Sequence, residues 1–195
     1  MFRVILALLF SRPFIASSAF PYLDRIHFIL LSFSLAFWLL KNKTRLTITG
    51  QIGYPLCIFI LTLGASMIFS QDKALSIMQL YKYTAGVMLL FAGASLNSQE
   101  TKNTILIIII SGVIISFIAI YQYLFGFSRL LEYITKEGIT DPYVKDCINQ
   151  KRVFAPFINP NALGGYLAMT IALVLALKRR LLFIIPLALA LLMTK

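Results

Sequence analysis

Thr104–Phe125 leaves this chain few choices. It is twenty-two consecutive residues without a charge, ~33 Å long as an α-helix, against a bilayer hydrocarbon core of roughly 30 Å. Tyr121, Tyr123 and Phe125 gather at one end of the run, as an interfacial aromatic belt does. The rest of the chain agrees: 59% of its residues are hydrophobic, 13% are charged, and the mean hydropathy is +0.87. That composition excludes an ordinary soluble domain and reads as an all-α polytopic membrane protein.

Other apolar runs supply further spans. Met1–Phe20 is expected as an uncleaved first span kinked at Pro13, although Ala16, Ser17, Ser18 and Ala19 loosely fit a signal-peptide cleavage site. Asp24, Arg25 and His27 are expected in a charged turn before Ile26–Leu40. Ile52–Ser70, Ala74–Leu96, Thr104–Phe125 and Pro160–Leu177 follow, and Leu181–Thr194 is a short seventh at ~21 Å. The expectation is about six complete spans plus that short one. By stretches, residues 1–125 hold about five spans, residues 126–159 an outer loop, and residues 160–195 the start of a further helical region.

Eighteen Lys and Arg against seven Asp and Glu leave a formal charge of +11. No basic run interleaves with aromatics in the manner of a nucleic-acid surface, so the excess is assigned to orientation in the bilayer. Lys41, Lys43 and Arg45 form one basic turn and Lys178, Arg179 and Arg180 another. Both are cytoplasmic if four spans separate them, which puts residues 126–159 on the outer side.

Individual polar residues are read against bland alternatives. Lys82, ~12 Å into a helix starting near Ala74, is expected to snorkel outward past Tyr81 and Tyr83, the other choice being an internal polar cavity. His27, the single histidine, reads as a wet interfacial residue, and no His, Cys or carboxylate cluster makes a metal site. Cys57 reads as a small core residue, and Cys147 as a loop thiol with no base beside it. Gly165, Ala168, Ala172 and Ala176 line one face of the Pro160 helix, which permits close helix contact. Leu130, Leu131 and Ile134 among charges suit either a short amphipathic helix or a solvated linker.

The stretch with chemical potential is Lys151–Tyr166. Asn159 and Pro160 read as a helix cap followed by a first-turn proline, because asparagine accepts from first-turn amides and proline has no N–H to lose there. Lys151 and Arg152 would add full positive charges near a helix N-terminus that already favours anions. The expected site is a phosphate seat made by Arg152 and Lys151 with Asn159 and Asn161. The plainer alternative is a helix start beside ordinary membrane-boundary cations.

Arg152–Leu167, R-V-F-A-P-F-I-N-P-N-A-L-G-G-Y-L, resembles the segment that opens the conserved region of the O-antigen ligase and Wzy-type polymerase family. Arg12-Pro13-Phe14, Phe20-Pro21-Tyr22 and the order of short-looped spans before one long outer loop fit the same picture, while Ala155 stands where the family often has glycine. The resemblance implies a GT-C-like helical fold and a glycosyltransferase of the bacterial inner membrane that needs no cofactor. It implies an undecaprenyl-diphosphate-linked glycan as donor, a saccharide or lipid A core as acceptor, and Arg152 as the cation that holds the diphosphate. It also implies a larger outer loop further along, so the chain is expected to be the N-terminal, inactive piece of such an enzyme. A protein that binds or moves lipid-linked saccharide without chemistry, and a structural membrane subunit, are the alternatives.

Overall fold

The computed structural model describes residues 2–15, 21–42, 50–136, 142–157, 159–176 and 181–195. Residues 43–45 and 178–180 of the two basic turns, the cleavage-like residues 16–19, Leu177, Glu137 and Asp141 lie outside the described residues. All regular structure among the described residues is helical. The helices are α1 (Phe2–Ser11), α2 (Pro21–Lys41), α3 (Gly50–Ile68), α4 (Lys73–Ala94), α5 (Ser98–Tyr121), α6 (Phe127–Lys136), α7 (Pro142–Asn149), α8 (Pro160–Ala176) and α9 (Ile184–Leu192). Three helical stretches are long and apolar enough to cross a membrane: Tyr22–Lys41, Lys73–Ala94 and Ser98–Glu132.

Local chemistry sets several boundaries. α1 stops at Ser11, and Arg12–Phe14 tightens into a 3-10 turn around Pro13. The Asp72 carboxylate accepts the Leu75 N–H at 2.9 Å and starts α4, while Lys73 Nζ donates to Ile68 O at 2.8 Å at the close of α3. α5 opens on a reciprocal cap: Asn97 Oδ1 accepts from Glu100 N–H at 2.8 Å, and the Glu100 carboxylate accepts from Asn97 N–H at 2.9 Å. Each pair satisfies amides or carbonyls that a helix end leaves without partners.

The chain forms two compact units, one of Met1–Ile5 with Phe28–Lys102 and one of Leu6–His27 with Asn103–Lys195. In the first, Tyr81 Oη donates to Ser32 Oγ at 3.0 Å and its ring meets Phe28 edge-on, joining α4 to α2. Phe59 and Tyr83 make the corresponding edge contact between α3 and α4. In the second, Ile109, Ile115, Val153, Leu163, Leu167, Val174 and Leu187 form a core that is fully buried.

Some expectations are corrected. Asp24, Arg25 and His27 lie inside α2, which begins at Pro21. His27 is buried, not wet: its Nε2 lies 2.9 Å from Ser11 Oγ and 3.0 Å from Leu8 O, near the end of α1, and Nδ1 is buried without a partner among the described residues. Arg12 pairs with the buried Asp24 beside it. The cysteines exchange roles, Cys57 being exposed and Cys147 buried. Gly165, Ala168, Ala172 and Ala176 are all exposed, and α8 buries Leu163, Leu167, Thr170 and Val174 instead. The α5 helix continues through a π turn at Gln122–Gly126 into α6, so residues 127–136 are helix and not linker.

Candidate functional site

The stretch 150–157 is held at three places. At its start, α7 ends in the hydrogen-bond pattern of a Schellman cap: Arg152 N–H donates to Cys147 O at 2.8 Å and Lys151 N–H to Ile148 O at 3.0 Å. That pattern places Lys151 at the left-handed position, with φ 53, where glycine is the usual occupant because a Cβ is crowded there. Lys151→Gly is therefore expected to strengthen the cap by about 0.7 kcal/mol. Hydrogen exchange at the Arg152 amide, slowed about threefold, checks it. If the Lys151 charge serves an anion, the same variant binds that anion less well while being more stable.

The second anchor is the end of α9. Val153 N–H donates to Met193 O at 2.9 Å and Arg152 Nε to Thr194 O at 3.2 Å. A helix end carries partial negative charge on its unpaired carbonyls, so the guanidinium there is worth roughly 0.3–1 kcal/mol. The third anchor is Gln122. Its Oε1 accepts from Phe154 N–H at 3.0 Å and Ala155 N–H at 2.8 Å, the residue itself being buried within the π turn. Gly126 belongs to this arrangement, because a Cβ there would sit 3.1 Å from Gln122 Cγ. The Ala155–Pro156 peptide is cis, and Phe157 packs against Tyr166 of α8 with ring centroids 5.5 Å apart and planes tilted by 39°.

The start of α8 completes the site. Asn159 Oδ1 accepts the Asn161 N–H at 2.7 Å, and Leu163 N–H donates to Asn159 O at 3.2 Å, so the cap and first-turn proline stand where the sequence puts them. Asn161 then turns its side-chain carbonyl to Arg152, whose Nη2 donates to Asn161 Oδ1 at 3.1 Å. Arg152, Asn159 and Asn161 are thus brought together. The Lys151 side chain is exposed and makes no hydrogen bond or ion pair among the described residues.

A guanidinium carries five N–H donors. Among the described residues two of Arg152's are engaged, by Thr194 O and Asn161 Oδ1, which leaves three on a half-exposed group held in one orientation. A fixed planar fork of that kind suits an oxygen-rich anion. The anchors at Gln122 and Thr194 are the residues that sequence reasoning missed. Gln122 is the one side-chain amide in the Thr104–Phe125 run, and that is the signal that was available. No family model, curated protein or solved structure matches the chain.

Proposed function

We propose that the Arg152 site is a diphosphate seat of a membrane glycosyltransferase of the O-antigen ligase or Wzy polymerase type. In this reading the protein has about six spans in a GT-C-like arrangement in the bacterial inner membrane, with residues 126–159 on the periplasmic side. The donor is an undecaprenyl-diphosphate-linked glycan and the acceptor a saccharide or lipid A core. An acceptor hydroxyl attacks the anomeric carbon and gives up its proton to water, the bond from that carbon to the diphosphate oxygen breaks, and the lipid diphosphate leaves with the electron pair of that bond as negative charge. Arg152 stabilises that charge as it develops.

The observation that supports this reading best is the contact of Arg152 Nη2 with Asn161 at the start of α8. It holds a cation beside a helix N-terminus, with donors to spare. Lys151 adds charge nearby. The resemblance of Arg152–Leu167 to the family supports it from the sequence.

Arg152→Lys is the informative substitution. It keeps a cation near the end of α9 but loses the planar fork, so glycan transfer is expected to fall about tenfold at unchanged protein level. The assay uses native membranes carrying the intact gene. Undiminished transfer in Arg152→Ala removes the proposal. A carrier without chemistry binds the lipid-linked donor but releases no lipid diphosphate in the same assay, and a structural subunit binds none.

A further inference from the structure

We propose that the cavity between α3 and α4 seats the ester end of one acyl chain of a bilayer glycerophospholipid, with the lipid phosphate beside Lys73. The cavity measures about 180 Å³, and its walls include Leu63, Ser66 and Met67 of α3 and Ser76, Gln79 and Tyr83 of α4. Roughly 150 Å³ holds a benzene-sized body. The space therefore takes one ester group and its first methylenes, not a whole lipid.

Polarity changes in one direction along the cavity. α4, long and apolar enough to cross a membrane, opens at Lys73. Ser76 lies ~5 Å along it, Gln79 ~9 Å and Tyr83 ~15 Å. Side chains on a helix lean toward its N-terminus, so the Gln79 amide and the Tyr83 hydroxyl are displaced toward the Lys73 end. Lys73 marks the rim: its Nζ donates to Ile68 O at 2.8 Å and to Met67 O at 3.5 Å, and Met67 is a wall residue. A bilayer lipid carries the same order, phosphate outermost, then ester carbonyls, then hydrocarbon.

The hydrogen bonds select the ligand. Ser66 and Ser76 already give their protons to Leu63 O and Asp72 O, each at 2.8 Å. The Gln79 amide and the Tyr83 hydroxyl donate to nothing among the described residues. Within a bilayer an unpaired donor is costly, because no water is there to accept from it. These two groups need an acceptor, and an ester carbonyl is an acceptor with no proton of its own. At the rim, the Lys73 ammonium has three donors and two carbonyls, which leaves one N–H and the full positive charge for a phosphate oxygen. This proposal does not rest on the glycosyltransferase reading.

The test reconstitutes the full protein in phosphatidylethanolamine vesicles containing a trace of the same lipid with a diazirine on the acyl chain close to the ester. After irradiation, adducts at Leu63 and Leu80 are expected at least about fivefold above those at Leu61 and Ile77, which are exposed on the same two helices. Gln79 is exposed, so Gln79→Leu leaves the fold intact, and it is expected to bring the cavity adducts down to the Leu61 level. The matching diazirine diacylglycerol, which has both esters and no phosphate, is expected to label the cavity at least about fivefold less. Equal labelling at Leu63 and Leu61 overturns the proposal, as does cavity labelling that Gln79→Leu leaves unchanged or that diacylglycerol matches. Cavity residues that take no adduct, because water or another helix fills the space, overturn it too.

Discussion

Gln122→Leu is expected to loosen the stretch that carries Arg152, with the Phe154 and Ala155 amides exchanging about a hundredfold faster. Among the described residues both amides have one acceptor, the Gln122 side-chain oxygen, at 3.0 and 2.8 Å. Leucine fills much of the same volume but accepts nothing, so two part-buried donors lose their partner together. At about 1–3 kcal/mol for each donor left unsatisfied, with some relief from water, the loss is about 3 kcal/mol. At tenfold per 1.4 kcal/mol this is the hundredfold change in exchange. Gln122→Glu keeps an acceptor at the same reach and is expected to hold both amides within about tenfold of wild type. Wild-type exchange in the leucine variant would show that these amides are satisfied elsewhere.

Gly112→Ala tests the second unit where α5 meets α8. A Cβ at Gly112 would lie 2.5 Å from Thr170 Cγ2 and 3.0 Å from Thr170 Oγ1, closer than atoms pack. Thr170 cannot turn away freely. Its χ1 is stiff, and its hydroxyl donates to Tyr166 O at 2.8 Å. α5 and α8 would have to separate, pulling apart Ser111 Oγ and Tyr166 Oη, which lie at 2.6 Å. Overpacking of this kind costs about 3 kcal/mol, and the gain of alanine over glycine in a helix returns about 1. The net loss of about 2 kcal/mol lowers the thermal midpoint by about 4–8 °C. Adding Thr170→Ala removes the obstructing methyl, so the double variant is expected to be more stable than the sum of its parts. Strict additivity of the two changes would deny the contact.

These two sites differ from the Asn159-Pro160 cap in how far apart their partners are along the chain. The cap joins residues one and two positions apart, and its chemistry is written in adjacent letters. The same holds for Asp72 with Leu75 and for Asn97 with Glu100, where the side chain reaches an amide three residues on. Lys151 was legible as a cation next to Arg152. Its left-handed backbone was not, because lysine gives no hint of a position that usually belongs to glycine.

The small residues of α8 show the limit from the other side. A stripe at three- and four-residue spacing is compatible with close packing, but it says nothing of which face a neighbouring helix takes. Leu163, Leu167, Thr170 and Val174 fill the core, and the stripe faces outward. Gly112 meets Thr170 because α5 presents its own glycine there. His27 followed the same rule: the end of α1 folds back on α2 and buries a ring whose surroundings in sequence suggested water.

Residue order alone determined that the chain is helical, with runs long and apolar enough to cross a bilayer, because unbroken apolar runs and side chains capping amides two or three positions away act over one helix turn. Packing decided the rest. Arg152 meets the Thr194 carbonyl across 42 residues, and Gln122 meets Phe154 and Ala155 across 32 and 33. Such distant polar pairs form only where buried cores bring backbones together and leave donors that water no longer reaches, a condition no local pattern encodes.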